Sequence, residues 1–239
     1  MASQLDCYNL ALANLDVSQT VQSLNDNSSA AGACNRYYDF ARKRVLEKGQ
    51  WDFAVKFAAL SLLLDQNTLT VAQVVYPGWR YVYQRPTDCV RALAVTTNFG
   101  LRVNPFLAFW WRAGAMDCSA GSWGPFTPPW RQVLDMGLQS GSLNPAQAGN
   151  AVDILTDQDS AYLVYVSDVT NVALWPQAML EAVAWNLSRA IAGPLSANQV
   201  AKSLAAKMAE TSINDAIAID LSQKQPDPYP DSPAITARN

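Results

Sequence analysis

The chain has 239 residues, half of them hydrophobic, which is enough to bury a core in one large domain or two small ones. Its 17 Lys and Arg against 20 Asp and Glu leave a net charge of −3, which argues against tight general binding to nucleic acid and suits either an ordinary surface or one that DNA slides past. Histidine is absent from the sequence, so Ser-His-Asp, Cys-His and His-ligated zinc hydrolase chemistry is excluded.

Cys7, Cys34, Cys89 and Cys118 are scattered singly, without the close spacing of a metal site or a disulfide scaffold, so reduced thiols are expected. The stretch MASQLDCYNLALANLD lacks a basic start and an unbroken apolar run, and Phe57–Leu64 is too short to span a bilayer. Neither a signal peptide nor a membrane segment is expected. No Gly-rich phosphate cradle occurs, so no cofactor and no metal is assigned.

In chain order, Leu5–Leu15 reads as a first helix and the polar run Ser23–Gly32 as a connecting loop. Tyr37, Phe40, Ala41, Arg44 and Val45 then form a helical stripe within 35–48 that stops at Gly49. A third, shorter element is expected over 51–63, with Trp51 and Phe53 as core anchors. From Thr68 the residues become β-branched and alternating: TVAQVVY, then YVYQ, then CVRALAVTT. Turns are expected at Pro77-Gly78 and at Arg85–Asp88.

The Gly- and Pro-rich stretch from Phe99 to Asn150 is too long for an ordinary connection. It carries Trp110, Trp111, Trp123 and Trp130, and FLAFWW within it should be buried against either its own domain or a partner. Strands resume at 151–155 and 161–166, and the DILTDQDSAY between and around them reads as a hairpin. Helix returns after Pro176, with Met179, Val183, Asn186, Leu187 and Ile191 on one face as far as Gly193-Pro194. Ser196 is the expected cap of a last helix, whose core stripe is Val200, Leu204, Met208, Ile213, Ala216, Ile217 and Leu221. The sixteen residues from Lys224 contain four prolines and should form an extended arm.

The fold expected is therefore α+β. Residues 1–66 and 176–223 make a helical bundle, 67–175 a β-rich insertion with the long Trp-, Pro- and Gly-rich loop, and 224–239 an extended C-terminal arm. Such a shape suits assembly with several neighbours, and a structural rather than catalytic role is expected.

Three stretches carry a resemblance to a known family: ACNRYYDFARKRVLEKGQWDFA (33–54), PGWRYVYQRPTDCVRALAV (77–95) and the tail QPDPYPDSPAITARN (225–239). Together they resemble the head-to-tail adaptors of short-tailed bacteriophages, the tail tubular protein A type. The resemblance implies a homo-oligomeric ring, a dodecamer, between the portal protein and the tail nozzle protein. Double-stranded DNA would pass through it without specific binding. It further implies a place in the virion after assembly in the host cytoplasm. By this likeness Tyr229, Ile235 and Arg238 of the arm would bind the portal. Tyr81, Tyr83, Pro86, Asp88 and Arg91 would hold together a nozzle-facing insertion, with Asp88 and the Arg-bearing strand as a structural pair. Trp110, Trp111, Trp123 and Trp130 are candidate partner-facing aromatics.

Two other readings stand beside this one. Asp153, Asp157 and Asp159 are the densest acidic group, and two of them about 5 to 10 Å apart across a sugar cleft could support carboxylate-only hydrolysis of cell wall. The Trp-rich loop could instead serve a sugar- or peptide-binding module.

Overall fold

The computed structural model describes residues 2–68, 76–97, 130–134, 138–139, 142–143, 152–195 and 198–223. The class is α+β, as expected, with four helices and antiparallel sheets among these residues.

Helix α1 spans Gln4–Ala13 and starts at a reciprocal cap. The Ser3 hydroxyl accepts from the Asp6 amide at 3.2 Å, and the Ser3 amide donates to the Asp6 carboxylate at 2.8 Å. Helix α2 runs Ser29–Lys48, six residues earlier than the apolar stripe indicates. Ser28 accepts from the Ala31 amide at 3.2 Å, and the alanines behind it are good helix formers that show no apolar stripe. Its buried face also differs from the expected one. Tyr38, Ala41, Arg42, Val45 and Leu46 are buried, Tyr37 is half-buried, and Phe40 is 61% exposed.

At Gly49 the chain turns so tightly that a Cβ would lie 2.5 Å from the Trp51 indole. Only glycine leaves room for that ring, whose Nε1 donates to the Val45 carbonyl at 3.1 Å. Trp51 is fully buried and Phe53 packs against the same core.

The short element expected over 51–63 is instead a 3-10 turn, Asp52–Ala54, followed by strands β1 (Val55–Ala59) and β2 (Ser61–Asp65). Strands therefore begin well before Thr68. The remaining ones are β3 (Tyr81–Gln84), β4 (Cys89–Thr97), β5 (Trp130–Leu134), β6 (Leu138–Gln139), β7 (Ser142–Leu143), β8 (Val152–Thr156) and β9 (Ala161–Ser167). The turns at Pro77-Gly78 and Arg85–Asp88 are present, with Gly78 at φ +92°. Of TVAQVVY, only Tyr76 lies within the described residues.

One antiparallel sheet has the order β1-β9-β4, a second β2-β3-β8-β5, and β6 pairs with β7. The chain steps from one main sheet to the other at Leu60, at Arg85–Asp88 and again between β8 and β9. DILTDQDSAY is thus a corner between two sheets and not a hairpin. The reason lies in its fastenings: the Tyr83 hydroxyl donates to the Gln158 carbonyl at 2.8 Å and the Arg80 amide to Asp157 at 2.9 Å.

The first sheet is a middle layer. Leu93 and Val166 point into the helical core, whereas Val95, Leu163 and Tyr165 pack towards Tyr83 and Ile154 of the second sheet. A strand covered on both faces reads as a continuous apolar run, which is the pattern of β9.

Helices α3 (Gln177–Leu195) and α4 (Gln199–Gln223) complete the bundle. Met179, Val183, Asn186, Leu187 and Ile191 are all buried, as their spacing predicts, and α3 packs on α1, α2 and α4. It continues through Pro194 to Leu195, past the expected stop. Asn198 accepts from the Val200 and Ala201 amides at 2.9 and 3.3 Å and caps α4, while Ser196 lies outside the described residues. The expected α4 stripe holds at Ile213, Ala216 and Ile217, and its first half is rotated. Ala201, Ala205, Ala209, Ile213 and Ala216 face inward, Val200 and Leu204 are 74% and 46% exposed, and Leu221 is exposed.

No helix among the described residues is long and apolar enough to cross a membrane.

Candidate functional site: the joint between helices and sheets

The charged residues that the sequence places far apart meet where α2 ends against the sheets. Arg42 is buried on the inner face of α2, a position where an unpaired guanidinium would be costly. It is fully engaged: Nε and Nη2 each donate to one oxygen of Asp168 at 3.0 Å, and Nη1 lies 3.0 Å from Asp39. The guanidinium also sits 5.7 Å from the centroid of the Tyr38 ring. Asp168 follows β9 directly, so this fork ties α2 to the central strand of the first sheet.

A second set of bonds extends the joint into the β3–β4 turn. The Asp168 amide donates to the Asp88 carbonyl at 2.7 Å. The Asp88 carboxylate accepts from the Tyr165 hydroxyl at 2.9 Å and from Lys56 Nζ at 2.8 Å. Burial alone would raise the Asp88 acid, but the donors Lys56 and Tyr165 outweigh it and hold the group below its ordinary value. Arg91 Nη1 donates to the Glu47 carbonyl at 3.1 Å, placing a cation at the C-terminal end of α2. Ser167 donates to the Ala54 carbonyl at 2.9 Å.

Between these elements lies a cleft of about 260 Å³, lined by Lys43, Glu47, Arg85, Thr87, Asp88 and Asp168 among others. Both signs of charge face it. Arg85 Nη2 reaches the Val90 carbonyl at 2.7 Å, so the turn itself is braced. Cys89 borders the cleft, but burial pushes its thiol up, away from the thiolate that nucleophilic chemistry needs.

The sequence-predicted residues fall into three groups. Tyr81 and Tyr83 share a face with ring centroids 6.2 Å apart, the Pro86 carbonyl accepts from the Cys89 amide at 3.0 Å, and Asp88 and Arg91 lie at the joint. The expected pairing of Asp88 with the Arg-bearing strand is different in detail. Asp88 is held by Lys56 and Tyr165, while Arg91 crosses to α2.

Asp153, Asp157 and Asp159 form a second group. They occupy three unlike settings: a buried site on β8, a bond to the Arg80 amide, and an exposed turn. No cluster of His, Cys, Asp or Glu fit to hold a metal occurs among the described residues.

The third group, Tyr229, Ile235, Arg238, Trp110, Trp111 and Trp123, lies outside the described residues. Trp130 is half-buried on β5, packed against the cluster between the two main sheets.

Arg42, Lys56, Tyr165 and Asp168 were not singled out by sequence. The available signal was Arg42 itself, since Tyr38, Ala41 and Val45 on one face place it next to the core.

A comparison with protein-family models found no match, and a search of curated proteins likewise found none.

Proposed function

We propose that this chain is a structural adaptor subunit of the head-to-tail junction of a short-tailed phage. In this reading it assembles as a ring between portal and tail nozzle, and DNA passes through the middle. The observation that carries the proposal is where two of the three family-like stretches come together. Residues 33–54 supply Arg42, Glu47 and Trp51, and residues 77–95 supply Arg85, Asp88 and Arg91. Both meet at the joint through the Arg91 bond to Glu47 and the lining of one cleft.

Such a joint makes the helices and the sheets one body, which a load-transmitting ring subunit requires. Large apolar side chains remain outside that body, with Phe40 at 61% and Leu174 at 62% exposed, and neighbouring subunits would cover them. A net charge of −3 suits a channel that does not hold phosphate. On this reading the arm with Tyr229, Ile235 and Arg238 docks on the portal.

Co-expression with the portal protein of the same genome, followed by electron microscopy, tests the proposal. Full-length chain should stack a ring on the portal, and a truncation ending at Gln223 should not. A full-length chain that leaves the portal bare would overturn it.

A further inference from the structure

The outward face of α4 has an internal symmetry that identifies what can cover it. Val200, Leu204, Lys207, Thr211, Asp215 and Ala218 recur every three or four residues, and all are exposed. From Leu204 to Ala218 they are arranged evenly about Thr211. Leu204 and Ala218 lie equally far on either side, as do Lys207 and Asp215. Neither Lys207 nor Asp215 forms a salt bridge with a described residue.

We propose that a second copy of this chain docks here, α4 against α4, antiparallel, with a two-fold axis at Thr211. Steps of three and four residues are mixed along this stripe, and two such stripes pack side by side along their length at a crossing of about 20°. In that arrangement each Lys207 lies beside the Asp215 of the other copy, and each Leu204 covers an Ala218. A parallel pair would set Lys207 against Lys207 and Asp215 against Asp215, so the charges select the antiparallel one.

The helix is 25 residues long, about 37 Å at 1.5 Å per residue. Contact over its middle turns buries on the order of 1,000 Å² in total, the lower bound for a specific interface. The pair is therefore weak and salt-sensitive, and it is isologous and closed. It is independent of the adaptor reading, because a two-fold pair needs no portal to template it.

Sedimentation of the full-length chain across concentration and ionic strength tests this. A monomer–dimer equilibrium that weakens with salt is expected. Lys207→Glu and Asp215→Lys should each weaken association by about tenfold, since each reverses two pairs per dimer. The double variant Lys207→Glu/Asp215→Lys should restore it.

Thr211→Cys, in a chain also carrying Cys118→Ser, should cross-link to itself on oxidation, because Cys7, Cys34 and Cys89 are buried. A chain that stays monomeric at every concentration would overturn the proposal, as would one that forms only larger oligomers. The same holds if the single variants associate like wild type, if the double variant fails to recover, or if Thr211→Cys gives no covalent dimer.

Discussion

Helices α3 and α4 are neighbours in sequence and pack on each other, yet they bury different mixes of residue. α3 lies among three helices and buries Met179, Leu180, Val183, Leu187 and Ile191. α4 packs chiefly on α3, and it does so largely through Ala201, Ala205, Ala209 and Ala216, with Ile213 as its large buried residue, while Val200 and Leu204 point out. Small side chains let two helix axes approach closely, so the contact is made by backbone-near surface. In a central helix the largest apolar residues mark the core. In the peripheral one, small residues make most of the contact and some of the largest apolar ones stay exposed.

Substitutions can break that contrast. Leu187→Ala removes a fully buried side chain of α3 and should destabilise the chain by about 2–5 kcal/mol in denaturant titrations. A loss below about 1 kcal/mol would deny α3 its central place. Arg42→Ala leaves Asp168 without its bidentate partner and should cost about 3 kcal/mol, with the helices and sheets unfolding in separate steps if the joint is what couples them. Ala205→Leu forces bulk into the α3–α4 contact and should cost about 1–3 kcal/mol. An unchanged midpoint would show that α4 does not pack as closely as described.

Acid should loosen the joint more gently. Asp88 is held below its usual value of 3.8, so between the folded and unfolded values the unfolded chain binds more protons and stability rises with pH. Its contribution is present above about 3.8 and lost as pH falls through the lower, folded value. Asp88→Asn should flatten that part of the acid titration of stability. The smallest effect is expected at the surface: Leu204→Ser, at an exposed position, should shift stability by no more than about 0.5 kcal/mol.

Much of the fold is legible from residue pattern alone. The α3 face, the α2 stop at Gly49, the strands at YVYQ and CVRALAVTT and the turns beside them follow from periodicity and local stereochemistry. What was not legible depends on neighbours distant in sequence. The start of α2 is written in alanines and a glycine, which carry no stripe. β1 and β2 form one apolar run that changes sheet at Leu60, so no single alternation spans it. The DILTDQDSAY corner has the composition of a hairpin, and bonds from residues distant in sequence, Tyr83 and Arg80 among them, hold it as a corner. At the joint, Asp88 and Arg91 could be picked out. Their partners could not, since Lys56, Tyr165 and Glu47 lie 32, 77 and 44 residues away respectively.

On the proposed reading, the chain is an assembly subunit that sits on a portal. Native mass spectrometry of the complex recovered by co-expression tests this most directly, because it counts copies. Ring assembly predicts one mass with the chain and the portal in a fixed whole-number ratio. Portal recovered alone, or carrying a variable and substoichiometric number of chains, would contradict it.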